Sequence, residues 1–226
     1  MKNIFSRLIL LSLVVTPFSA LAQTGLETDK QKFSYAIGVQ VGQNIAQQGM
    51  NIDYDALLLG VADIVKQQGL KLTMQEMQTA VNNFQAEEEE RYEKLGQENK
   101  LAGEKFLADN KSKRGVTELA SGLQYLVVTE GDGERPAITD TVIVHYRGTL
   151  IDGTEFDSSY DRGEPLPVSL DRVIQGWQEI VPLMRVGSKW QVFIPADLGY
   201  GENAAGPVIG PNSTLVFDIE LLAIAE

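Results

Sequence analysis

Val144-His145-Tyr146-Arg147-Gly148 and, shortly after, Gly153-Thr154-Glu155-Phe156-Asp157-Ser158-Ser159 form the stretch whose reading decides the fold. Val142, Val144 and Tyr146 alternate with Ile143, His145 and Arg147, the period of two that marks a half-buried strand. His145 and Tyr146 therefore point to opposite faces. Working outward, Leu215, Phe217, Ile219 and Leu221 alternate with Val216, Asp218 and Glu220. That gives a second strand with one buried and one wet face. Gly and Pro punctuate the intervals, among them Gly131, Pro136, Gly163, Pro165, Gly187, Gly206 and Pro207. One short helix fits at about residues 173–181, with Val173, Ile174, Trp177 and Val181 inward and Pro182 near its end. From residue 122 onward the pattern is α+β, a twisted antiparallel sheet wrapped on one short helix.

Composition narrows the chemistry. A length of 226 residues suits one large domain or two modest ones. The net charge of −12 argues against nucleic acid, which needs a basic surface. The acidity is uneven: residues 116–226 hold 17 Asp+Glu against 6 Lys+Arg, a net of −11. Solubility and self-repulsion account for such a surface, and recruitment of basic clients is the other reading. The absence of cysteine excludes disulfides, thiolate–metal sites and cysteine nucleophiles. The single histidine, His145, excludes multi-His metal sites and disfavours a Ser-His-Asp triad. No metal or cofactor is expected.

Residues 1–22 read as a secretory signal. Lys2 and Arg7 supply the positive start, and the apolar run from Leu8 is too short to span a bilayer. Ala20-Leu21-Ala22 fits the small-x-small cleavage rule, with a mature start at Gln23. No cysteine follows to carry a lipid, and no later segment has the length and apolarity of a transmembrane span.

Residues 23–115 read helical. Phe33, Ile37, Val41 and Ile45 mark one apolar face of a helix over about 32–48, ending near Gly49. Beside it runs a strip of small residues, Ser34, Gly38, Gly42 and Ala46. Two glycines inside a helix, each unfavourable by about 1 kcal/mol against alanine, suggest close approach of another helix. A second helix fits residues 54–68, with Leu57, Leu58, Val61, Ile64 and Val65 as its apolar face and Gly69 as its stop. Thr73-Met74-Gln75-Glu76 fits a capping box opening a third. Met74, Met77, Val81 and Phe84 continue an apolar spacing, and then the residues turn polar all round, as in a helix bridging solvent between domains. Pairs such as Glu87/Arg91 and Glu90/Lys94 fit i, i+4 support. Continued to about Lys111 this helix would be roughly 60 Å long. The apolar helical segment is thin for an independent core, so a homodimer through residues 27–85 is expected.

In order and spacing, Tyr146, Phe156-Asp157, Val173-Ile174-Gln175-Gly176-Trp177, Gly199-Tyr200-Gly201 and Phe217 resemble the FK506-binding-protein (FKBP) type of peptidyl-prolyl cis–trans isomerase. The resemblance runs from about residue 122 to the C-terminus. None of these residues is a good nucleophile or metal ligand, and the implied reaction needs neither. Amide resonance sets a barrier of about 18–20 kcal/mol to peptide rotation. X-Pro bonds populate both isomers and exchange slowly. An apolar, water-free pocket disfavours the charge-separated planar amide relative to the twisted one. The resemblance implies Trp177 as the floor under the proline ring, Tyr146, Phe156 and Phe217 as walls, and Val173 and Ile174 at the rim. It implies the Ile174 amide and the Tyr200 hydroxyl as donors to substrate carbonyls, with Asp157 beside the twisting bond. Arg162 would pair with Asp157 and the Tyr146 hydroxyl, and Val208 and Ile209 would overhang the site. Leu166 stands where many family members carry an aromatic wall. The loop Ala204-Ala205-Gly206-Pro207-Val208-Ile209 lacks the histidine and second isoleucine of small cytosolic members. Taken alone, most of these positions would be read as core or turn residues.

The whole layout is similar to the secreted Mip/FkpA group of bacterial FKBPs. That likeness implies a signal peptide at 1–22, a helical dimerisation domain at 23–72, a connecting helix at 73–115 and an isomerase domain at 116–226. It implies a periplasmic location, with outer-membrane association or surface exposure as variants. Expected partners are proline-containing unfolded or partly folded polypeptides and FK506/rapamycin-type macrolides. A mainly non-catalytic holdase chaperone, and a surface factor acting on Pro-rich matrix, are the competing readings.

Overall fold

The computed structural model describes residues 25–47 and 49–225. The expected secretory signal, and Gln48 at the expected end of the first helix, lie outside the described residues. The chain divides into two compact units, one ending at Met50 and one beginning at Asn51.

The first unit contains α1, Asp29–Gln47. The Gln31 side chain accepts from the amides of Glu27 and Thr28, at 3.0 and 2.8 Å, and so satisfies donors that a helix start leaves open. Gly49, at φ +62°, ends the helix with its N–H on the Ala46 carbonyl at 3.1 Å. Phe33, Ile37 and Val41 are exposed along α1.

The second unit opens with α2, Tyr54–Val65, capped by the Asp53 side chain on the Ala56 amide at 2.9 Å. α2 stops one turn earlier than its sequence suggests. Gln67 takes the left-handed conformation, φ +56°, and Gln68 N–H bonds the Asp63 carbonyl at 2.8 Å, so the chain turns before Gly69. Leu58, Val61, Ile64 and Val65 stay exposed.

α3 runs Met74–Asn110 in 37 residues, about 55 Å at 1.5 Å per residue. The Thr73/Glu76 capping box forms in both directions. Arg91 pairs with Glu88 rather than with Glu87. The main departure from the sequence reading is the second half of α3, which does not cross solvent. It packs on the sheet domain through Tyr92, Gly96, Asn99, Gly103, Phe106 and Asn110, a 4-3-4-3-4 spacing that keeps one helix face.

The sheet comprises β1 (Val116–Glu118), β2 (Gln124–Thr129), β3 (Thr141–Leu150), β4 (Glu155–Ser158), β5 (Leu166–Ser169), β6 (Lys189–Ile194) and β7 (Leu215–Ile224). Its order is β1-β2-β6-β7-β3-β4, with β5 also paired to β3, and every pairing is antiparallel. β3 is central: its first half pairs with β5, its second half with β4, and its other edge with β7. The expected alternation holds, since Val142, Val144 and Tyr146 on β3 and Leu215, Phe217, Ile219 and Leu221 on β7 are buried.

A four-residue helix, α4 (Ser159–Arg162), follows β4, and α5 (Gln175–Ile180) covers the core face of the sheet and runs into a 3₁₀ turn at Val181–Leu183. α5 is shorter than the expected 173–181 because Val173 and Ile174 are extended. Gly176 allows α5 to lie flush on β6: a Cβ there would sit 2.6 Å from Ile194 Cγ2. Trp177, Ile180 and Val181 enter the core beside Val192, Ile194 and Phe217. On the opposite face, Phe106 of α3 meets Phe193 at 5.9 Å, and the buried Asn110 amide donates to Gln124 Oε1 at 3.0 Å.

Candidate functional site

A cavity of about 530 Å³ opens between β3, β4, β5, α5 and the loop preceding β7. Strand alternation turns Tyr146 and Phe217 inward from paired strands, and α5 brings Trp177 beneath them. The Trp177 ring meets the rings of Tyr146 and Phe217 edge to face, each at 5.4 Å, and Phe156 meets Phe217 edge to face at 5.5 Å. These are the favoured geometries for ring quadrupoles, so each wall fixes its neighbour. The resulting cleft is lined mainly by apolar side chains, and its volume is that of an ordinary small-molecule site.

One ionised cluster sits at its edge. The Tyr146 hydroxyl donates to Asp157 Oδ2. Arg162 donates from Nη1 to Asp157 Oδ1 and from Nη2 to the Tyr146 oxygen, the latter at 2.8 Å. Partial burial opposes ionisation of Asp157, but the hydrogen bonds from Tyr146 and Arg162 outweigh it and hold the carboxyl below its ordinary value. Burial, then the hydrogen bond to Asp157, push the Tyr146 phenol up, so it remains a donor at neutral pH. Arg162 is held further up by its bonds to Tyr146 and Asp157. The guanidinium also lies over the Tyr146 ring at 5.3 Å.

Of the residues expected from sequence, Tyr146, Phe156, Asp157, Leu166, Val173, Ile174, Trp177, Tyr200, Val208, Ile209 and Phe217 all line this cavity. Arg162 stands behind it and reaches it through Asp157 and Tyr146. Ile174 immediately precedes α5. Val208 and Ile209 lie in a small hairpin closed by Ala205 N–H on the Ile209 carbonyl at 2.9 Å.

Sequence reasoning passed over Arg172 and Val168, which line the cavity beside Ala205, Gly206 and Pro207 of the loop quoted above. For Val168 the signal was its spacing from Leu166 on one face of β5. It also passed over Gly148. A Cβ there would lie 2.5 Å from Phe156 Cε2 and 2.9 Å from Phe217 Cε1, so only glycine lets these two rings close the wall.

An aromatic cage with one pinned carboxylate can accommodate an apolar ring, and its lining offers no activated nucleophile for a covalent step. Residues 132–222 match the family model described as FKBP-type peptidyl-prolyl cis-trans isomerase, and residues 30–127 match that of the domain amino terminal to FKBP-type peptidyl-prolyl isomerase. The chain is 44% identical to the outer membrane protein MIP of Legionella longbeachae, over 93% of this chain and 92% of that protein. It is 42% identical to the FKBP-type 22 kDa peptidyl-prolyl cis-trans isomerase of Escherichia coli, over 88% of this chain and 97% of that one. The crystal structure of FkpA from Escherichia coli superposes with a TM-score of 0.62 at 40% identity, over 88% of this chain and 98% of that chain.

The chain belongs to the FKBP-type peptidyl-prolyl cis–trans isomerases. Its activity is accordingly rotation of X-Pro peptide bonds in proline-containing peptides.

Proposed function

We propose that the cavity between β3, α5 and the late loop is the isomerase site, with the roles that follow. The proline ring lies on Trp177 between Tyr146, Phe156 and Phe217, with Leu166, Val173, Val208 and Ile209 closing the rim. The observation that carries this reading is the three-way bonding of Asp157, Tyr146 and Arg162 at the mouth of an otherwise apolar cage. It fixes one carboxylate beside the ring site, where the amide loses its charge separation on twisting. The Ile174 amide and the Tyr200 hydroxyl hold the flanking carbonyls. No proton is transferred and no covalent bond forms. The rate gain comes from binding the twisted amide better than the planar one.

The relaxation rate of a short Leu-Pro peptide, measured with the purified chain and with Asp157→Leu and Phe156→Ala, tests this. Both variants should fold and lose most of the acceleration, on the order of tenfold or more, which corresponds to about 1.4 kcal/mol of transition-state stabilisation. Full activity in both would remove the site from this cavity.

The same reading gives residues 23–72 to dimerisation, 73–115 to a connecting helix and 116–226 to isomerisation, in an exported, periplasmic homodimer acting on folding clients. Macrolides of the FK506 class would compete for the cavity. The exposed apolar residues of α1 and α2 favour a holding function beside catalysis. In that case suppression of client aggregation should survive Asp157→Leu.

A further inference from the structure

The loop between β6 and β7 has two sides. One side supplies Tyr200, Val208 and Ile209 to the cavity. The other is bonded to α3 at successive turns. The Tyr92 hydroxyl donates to the Glu202 carbonyl at 3.0 Å and accepts from the Ala204 amide at 2.8 Å. Asn99 Nδ2 donates to the Pro211 carbonyl at 2.8 Å, and Asn212 Nδ2 donates to the Gly96 carbonyl at 3.3 Å. The base of the loop is closed by Asn212 N–H on the Gly201 carbonyl at 2.7 Å, with both residues in the left-handed region. Ala204 immediately precedes the Ala205–Ile209 hairpin, so the Tyr92 bond holds the segment from which Val208 and Ile209 project.

Glycines on α3 make this approach possible. A Cβ at Gly96 would meet Asn212 Nδ2 at 3.2 Å, and one at Gly103 would fall 2.2 Å from Thr214 Oγ1. Gly210 on the loop is equally close to α3, with a Cβ 3.0 Å from Asn99 Nδ2. Two glycines inside one helix are each unfavourable by about 1 kcal/mol, and close packing on the loop supplies the compensating contact.

We propose that Tyr92 and Asn99 of α3 are positioning residues for isomerisation: they hold the loop that carries Tyr200, Val208 and Ile209 in its substrate-binding geometry. The proposal rests on the cavity being the isomerase site. A loop free to move would occupy that geometry for only a fraction of the time, and apparent affinity for the bound proline segment falls by the same fraction. The long helix is then part of the enzyme as well as a connection.

The test uses the full chain with Tyr92→Phe, which keeps the ring and removes the hydroxyl, and Asn99→Ala. Lys100→Ala, exposed on α3, is the control. Both hold-releasing variants should lower kcat/KM for the Leu-Pro peptide by about three- to tenfold, the range of one or two neutral hydrogen bonds. Amide exchange at Ala204 should quicken in Tyr92→Phe, while exchange in β3 and β7 stays unchanged. Faster exchange throughout the domain would mean a general loss of stability and would overturn the positioning role. So would unchanged exchange at Ala204, or faster exchange there with an unchanged rate. If Tyr92→Phe does not fold, Asn99→Ala with exchange read at Asn212 and Ser213 decides alone. Asp157→Leu runs alongside. Retained activity in that variant overturns the cavity assignment, whereas its loss together with a null result for Tyr92 and Asn99 overturns the hold only.

Discussion

Asp157 is held between opposing influences. Partial burial raises its proton affinity, and the bonds from Tyr146 and Arg162 lower it more. A carboxylate with a depressed value contributes fully to folding and charge above its ordinary 3.8, and loses that contribution only as pH falls through the lower folded value. The pH–rate profile should therefore be flat from neutrality down to about 4, within the acid limit set by the rest of the fold. Arg162→Ala removes one lowering partner and leaves burial in place. Its profile should break at a higher pH than wild type, and superimposable profiles would show that Arg162 does not set the charge of Asp157. Most of the residues gathered at this cavity were legible because the order and spacing of their blocks resemble a known family, whereas singly they read as core or turn. Gly148 was not, because its role is the space it leaves for Phe156 and Phe217, and that space exists only after β3, β4 and β7 are registered.

At the scale of elements, strands were read more reliably than the face of α3. Alternation of Val142, Val144 and Tyr146 reports burial directly, since large apolar side chains do the burying. The docking face of α3 instead uses Tyr92, Gly96, Asn99, Gly103, Phe106 and Asn110, and four of those six add no apolar signal. Glycine brings backbones together, and asparagine satisfies loop carbonyls that close packing hides from water. Hydrophobic spacing alone therefore does not reveal this heptad pattern. Gly103→Ala measures what that face contributes. Alanine should improve helix propensity by about 1 kcal/mol. Its methyl, however, would fall 2.2 Å from Oγ1 and 3.2 Å from Cβ of the buried Thr214, a short side chain with little room to swing away. Overpacking of this kind destabilises by about 1–3 kcal/mol, so the net change in urea unfolding should be destabilising. Thr214→Ala in the same chain should recover part of it. A stabilised single variant would mean that α3 does not press on Thr214.

At the scale of the whole molecule, the glycines of α1 pose the opposite case. A Cβ at Gly38 or Gly42 would meet nothing within 4 Å among the described residues. Among the described residues these glycines weaken α1 with no contact in return, and Phe33, Ile37 and Val41 are exposed on the same helix. On α2, Leu58, Val61, Ile64 and Val65 are exposed as well. Fully burying an exposed side chain of this kind is worth about 1.5–3 kcal/mol, and these seven are already partly covered, so their gross gain is roughly 6–13 kcal/mol. That exceeds many, though not all, values for the freedom lost on association, roughly 4–15 kcal/mol. A second copy pressed against the small-residue strip would explain the glycines and the exposed apolar residues of α1 together. The double variant Gly38→Ala/Gly42→Ala separates the alternatives. If the strip is an interface, the added methyls should shift light-scattering mass from dimer toward monomer at micromolar concentration, even though α1 alone gains propensity. If the strip faces solvent, mass should not change and thermal stability should rise by about 1 kcal/mol for each glycine replaced. That second outcome would leave the exposed apolar residues to client holding rather than to self-association.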